Sequence, residues 1–169
     1  GTVMAADEQA LEAEAKGQIK AFGGALKGAV KQGMEAGGPV GAIQACNTQA
    51  PGIAGAHSQG EWQVGRTSLK LRNPDNAPDA WERSVLESFE QRLAAGEAIG
   101  TLEASTVENG QYRFMKAIGT EGLCLNCHGD NLKEPVAARL AELYPADKAI
   151  GYHEGEIRGA FTLVKTLGE

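Results

Sequence analysis

Two cysteines and a histidine stand together in the run Cys124-Leu125-Asn126-Cys127-His128. Thiols two residues apart can add to vinyl groups on neighbouring edges of one porphyrin while the adjacent histidine reaches the iron, so the run reads as the attachment signature of a c-type haem. Three other readings use the same atoms: a thioredoxin-like redox pair, a structural disulfide, or a zinc site built from Cys46, Cys124, Cys127 and His128. A redox pair belongs in a βαβ context that the pattern of this chain lacks. Zinc would need the adjacent Cys127 and His128 on two corners of one small tetrahedron, and there is no second C-x-x-C. Haem c, with His128 on its iron, is the expected cofactor.

A second axial ligand must come from elsewhere, and Met34, Met115, His57, His153 and Cys46 are the candidates. Residue type alone favours Met115, because methionine opposite histidine is a common electron-transfer pair; ordinary core packing is the competing reading for both methionines. His57 lies among Gly, Ala, Ser and Gln, and His153 beside Glu154 in an expected turn, which favours a solvated surface for each. Cys46 is the thiol that attachment does not use, and a small buried hydrophobe is its plain alternative.

The elements that must position these groups follow from periodicity. Leu11, Ala15, Ile19, Phe22, Leu26 and Val30 recur every three or four residues, predicting a long helix from Asp7 to Lys31 that Gly37-Gly38-Pro39 stops. Pro39 then opens a second helix with Val40, Ile43 and Cys46 on one face, pointing Cys46 inward, and Pro51 is expected to end it. Glu61 to Leu71 reads as a strand whose parity changes near Thr67, suggesting a bulge. Trp81, Val85, Phe89 and Leu93 form a helical stripe, with Asn76 or Asp79 as cap and Gly96 at the end. Asn109-Gly110 is a hairpin turn that would pair Val107 with Tyr112, Ser105 with Phe114 and Ala104 with Met115. Pro135 to Leu143 suits a short helix, and Ile157, Phe161 and Leu163 a closing strand. Helices flanking an antiparallel sheet make this an α+β chain.

The 169 residues suit a single domain spanning 1–169, with 1–6 resembling the remnant of an export signal or a short added tail. A formal charge of −6 and scattered Lys and Arg argue against a nucleic-acid partner. No run approaches the roughly 20 apolar residues that cross a bilayer, so the chain as given is expected to be soluble, with no membrane segment. Aromatic content of 5% and 23 glycines leave aliphatic side chains to do most of the packing, which a large cofactor would help to complete.

The chain resembles a family of PAS-like haem-c domains, found as small bacterial and cyanobacterial c-type cytochromes and as extracytoplasmic sensor modules. The resemblance is carried by Ala42-Ile43-Gln44-Ala45-Cys46-Asn47 with Ala50-Pro51, by Val64-Gly65-Arg66-Thr67-Ser68-Leu69-Lys70 with Arg72-Asn73-Pro74-Asp75-Asn76, and by Cys124 to Gly129. Tyr144-Pro145-Ala146-Asp147 and Gly151-Tyr152 through Gly155-Glu156-Ile157-Arg158-Gly159-Ala160 add to it. It implies a PAS-like antiparallel sheet and an iron held by His128 on one side and the Cys46 thiolate on the other. Arg66, Arg72 and Arg158 fall in the matching segments and could pair with the haem propionates, a solvated or strand-surface arginine being the equal alternative for each.

A thiolate ligand favours ferric iron and should lower the reduction potential. On reduction Cys46 would take up a proton and leave, opening a place for a diatomic gas such as carbon monoxide or nitric oxide. The expected function is therefore a low-potential redox or gas-responsive sensor module that reports to a redox or signalling protein. The alternatives are a periplasmic electron-transfer cytochrome and, behind it, a peroxidase-like enzyme needing distal groups such as His57 or His153. A non-enzymatic role is the expectation. Thioether attachment takes place outside the cytoplasm, which points to the periplasm or a lumen.

Overall fold

A computed structural model describes residues 5–57, 62–70, 77–119, 132–144, 147, 150 and 155–167, with side chains described for all of these except 5, 6 and 45–57. Helix α1 (Ala5–His57) is interrupted by non-helical backbone at Gly37 and Gly38, which divides it into two legs. Gly38 has φ 64° and ψ −155°, a conformation that essentially only glycine adopts. The two glycines thus turn the chain where the sequence predicts a stop, and Pro39 opens the second leg.

Pro51 does not end that second leg, which runs on to His57. Proline removes one intrahelical donor and crowds the preceding turn, but the residues after it can still bond to the carbonyls before them.

Four strands follow: β1 (Trp62–Thr67), β2 (Glu103–Glu108), β3 (Gln111–Gly119) and β4 (Ile157–Thr166). They form one antiparallel sheet in the order β1-β4-β3-β2. Strand β1 stops at Thr67 and Leu69 is 40% exposed beyond it, so the change of parity read as a bulge marks the end of the strand. Glu61 and Leu71, the expected limits, lie outside the described residues. The register shift in the sheet falls instead between Ile118 and Gly119, opposite the start of β4.

The hairpin has the expected register, with Val107 on Tyr112, Ser105 on Phe114 and Ala104 on Met115. Asn109 and Gly110 take φ values of 52° and 72°, as a two-residue turn matched to strand twist requires.

Helix α2 (Ala80–Ala94) begins at a reciprocal capping box. The Glu82 amide donates to Asp79 Oδ1 at 2.8 Å, and the Asp79 amide donates to Glu82 Oε1 at 2.9 Å. Its end is closed by Gly96, whose N–H donates to the Leu93 carbonyl. Helix α3 (Glu134–Leu143) has Pro135 in its first turn, where the missing N–H costs nothing.

The sheet is covered on both faces. The first leg of α1 lays Leu11, Ala15, Ile19, Phe22 and Leu26 against Trp62, Val64, Tyr112, Phe114 and Leu163. Helix α2 lays Val85, Leu86 and Phe89 against Leu102, Met115, Ala117, Ile157 and Ala160 on the other face. Each large apolar side chain so buried contributes about 1.5–3 kcal/mol, and these two layers hold the fold. A third cluster joins Ile43 of the second leg to Val136 and Leu140 of α3, with Val40, Leu132, Leu143 and Tyr144 packed around them. This α+β arrangement, with a long N-terminal helix and an antiparallel sheet, is the fold class that the sequence implied.

Candidate functional site

Strand β1 leaves the sheet at Thr67, β3 leaves it at Gly119 and β4 enters it at Ile157. The register sets Thr67 opposite Ala160 and Gly119 opposite Ile157, so all three points lie at one end of the sheet. Three chain segments therefore start or finish there: 71–76 with Arg72, 120–131 with Cys124, Cys127 and His128, and 151–154 with His153. These segments themselves lie outside the described residues.

The first leg of α1 is directed toward the same end. Glu14 Oε1 accepts from Lys165 Nζ at 2.9 Å and from Trp62 Nε1 at 3.3 Å. Further along, Phe22 meets Phe161 edge to face, and a Cβ on Gly23 would lie 3.2 Å from the Phe161 ring. Nine helical residues and four strand residues each advance about 13–14 Å, so helix and β4 run alongside each other between these contacts. The remaining turns before Gly37 carry the leg past the sheet end, and the second leg begins beyond it.

That second leg carries Cys46 three positions after Ile43. Ile43 is 3% exposed and packs on Val136 and Leu140 of α3, the helix that follows the Cys124–His128 segment in the chain. Val40 and Ile43 thus share an inward face as the spacing predicts; the Cys46 side chain lies outside the described residues. A thiol-bearing helix and the helix that succeeds the cysteine-histidine run are held together by apolar packing at one end of the molecule. The donor set consists of two thiols at the attachment spacing, an adjacent imidazole and a third thiol on the neighbouring helix. Its residue types and spacing are those a covalently held haem would need.

Two of the three arginines are described, and both sit at this end. Arg66 is half-buried on β1 opposite Phe161. Arg158 is half-buried in β4, and its carbonyl accepts from Ser68 Oγ at 2.8 Å. The backbones meet closely here: a Cβ on Gly159 would lie 2.6 Å from the Thr67 carbonyl oxygen. The Ser68 hydroxyl and the bare Gly159 together fasten the end of β1 to the start of β4, a latch that sequence reading missed because the two are remote in the chain. Arg72 lies outside the described residues.

On the α2 side of the same end, Glu90 has its carboxyl held above the usual range, first by burial and then by the nearby Glu156 carboxylate. The arginines and this acidic pair give the sheet end charges of both signs.

Met115 is not brought to this place. It is wholly buried in the apolar layer under α2, among Val85, Leu86, Phe89 and Ala160, so it packs the core and does not face the sheet end. Met34 is half-buried on the first leg near the hinge. His57 ends α1, and its side chain, like all of His153, lies outside the described residues.

No helix among the described residues is long and apolar enough to cross a membrane. No curated protein matches the sequence. The structure is similar to the crystal structure of the cyanobacterial heme-protein Tll0287, with a TM-score of 0.65 over 92% of this chain and 97% of that one, at 23% sequence identity. The likeness establishes a common fold. At the level of sequence, the model of the Tll0287-like family matches residues 4–165, and the chain belongs to that family.

Proposed function

We propose that this protein binds one haem c, through thioether bonds at Cys124 and Cys127, with His128 and the Cys46 thiolate as axial ligands. The observation that carries the reading is the Cys124-Leu125-Asn126-Cys127-His128 spacing. It is supported by the packing of the Cys46-bearing helix on α3 and by kinship with a fold whose relative is described as a heme-protein. Bound haem would supply a one-electron ferric/ferrous couple, and Arg66, Arg72 and Arg158 are candidates to pair with its propionates.

The role that follows is a low-potential redox or gas-responsive sensor module in the periplasm or a comparable compartment, without catalytic turnover. Thiolate donation by Cys46 would lower the potential of a bound haem, and protonation of Cys46 Sγ on reduction would free a site for a diatomic ligand. Acidic charge favours a second reading, an electron carrier steered toward basic partners.

Expression in a host competent in cytochrome maturation tests the cofactor. Intact mass should rise by one haem, and the denatured protein should keep its colour; bare polypeptide would reject the reading. Cys46→Ala should change the ferric absorption and electron spin resonance spectra, and an unaltered pair would reject the thiolate. Carbon monoxide should shift the spectrum of the reduced protein; no shift, with rapid electron self-exchange, would favour the carrier.

A further inference from the structure

The two legs of α1 touch backbone to backbone. A Cβ on Gly33 would lie 2.6 Å from the Gly41 carbonyl oxygen and 2.7 Å from the Ala42 Cα, and a Cβ on Gly41 would lie 2.3 Å from the Gly33 carbonyl oxygen. Both positions are glycine because nothing larger fits the crossing. Gly38, between them, holds the turn in its glycine-only conformation, and Ala29 and Ala42, 6% and 3% exposed, keep the surroundings of the crossing small.

The second leg is therefore gripped from two directions, by the first leg at Gly33 and by Val136 and Leu140 of α3 at Ile43. Cys46 follows on this same rigid leg, five positions beyond Gly41. We infer that the Gly33–Gly41 crossing is the positioning device for Cys46, setting how far the thiol stands from the iron; this rests on the reading of Cys46 as a ligand. An Ala at position 33 would force the legs apart by roughly 1 Å to restore ordinary contact. Metal–ligand distances tolerate only about 0.2 Å, so a shift of that size is felt first as a weakened sulfur bond.

The experiment compares haem-loaded Gly33→Ala, Gly28→Ala and Cys46→Ala with the parent protein by ferric electron spin resonance, absorption and midpoint potential. Gly28 lies on the same leg in open space, so its alanine variant controls for helix propensity. The expected result is loss of the thiolate signature and a raised potential in Gly33→Ala, in the direction of Cys46→Ala, with Gly28→Ala unchanged. A changed Cys46→Ala beside a Gly33→Ala that matches the parent overturns the positioning role and leaves the ligand reading standing. An unchanged Cys46→Ala overturns the ligand reading, and the positioning role with it. Should Gly33→Ala not accumulate as folded protein, Gly38→Ala carries the test: its Cβ meets open space, but a φ of 64° strains alanine, so the turn between the legs is reset with no clash at the crossing; its spectrum decides between the same outcomes.

Discussion

Replacing Asp79 with Ala removes two interactions at once. The first is the cap: Asp79 Oδ1 accepts from the Glu82 amide at the start of α2, and such a cap is worth about 1 kcal/mol. The second is the ion pair with Arg113, whose Nη2 lies 2.7 Å from Asp79 Oδ2. Asp79 has a side chain 51% exposed, so solvent screening limits that pair to about 0.5 kcal/mol. Arg113 keeps its stack on Trp81, 4.7 Å from the ring centroid, and its weaker contact with Glu82 at 3.6 Å, so it is not stranded. The sum of about 1.5 kcal/mol should lower Tm by roughly 3–6 °C in a chain of this size.

Thermal melts followed by circular dichroism at pH 7 measure the difference, and Asp79→Asn separates its parts, since asparagine caps as well as aspartate but carries no charge. Asn should restore most of the loss. Desolvation raises the Asp79 carboxyl pKa, but the hydrogen bond from Glu82 and the Arg113 pair outweigh it, so the folded value is lowered. A lowered folded value means that the stabilisation is present above the unfolded pKa of about 3.9 and fades as pH falls through the folded value. The gap between parent and Asp79→Ala should accordingly hold at neutral pH and close in strong acid. Equal melting of parent and Asp79→Ala at pH 7 would refute the capping argument; a gap that widens in acid would refute the linkage.

Two further substitutions probe the layer under α2. Phe89 is fully buried, so Phe89→Ala should cost about 3–5 kcal/mol in urea unfolding. Met115→Leu should cost less than about 1.5 kcal/mol and leave the ferric and reduced spectra of the haem-loaded protein unchanged, whereas a lost or shifted band would restore Met115 as a ligand.

Local chemistry was read well from sequence and distant contacts were not. Asn109-Gly110 fixed its hairpin because the turn and both strands lie within a few residues, and Asp79 announced α2 because the capping box is a four-residue device. The proposed attachment motif is likewise a five-residue pattern, read from adjacent residues alone. The role proposed for Cys46 rests on resemblance, since no local rule distinguishes a core thiol from a ligand. Pro51 misled because the signal that usually ends a helix is a cost that a helix can absorb. The close approach of Gly33 to Gly41, the pairing of Arg113 with a cap 34 residues away and the meeting of three strand ends at Thr67, Gly119 and Ile157 all depend on how elements pack, which periodicity does not encode.

The strand order also governs when the molecule can become whole. Of the four described strands β4 is the last in the sequence, yet it occupies the interior of the sheet and is the sole described neighbour of β1. Until it is made, β1 has no partner among the described strands and β3 keeps one open edge, so a nascent chain holds a helix and a hairpin but not this four-stranded sheet.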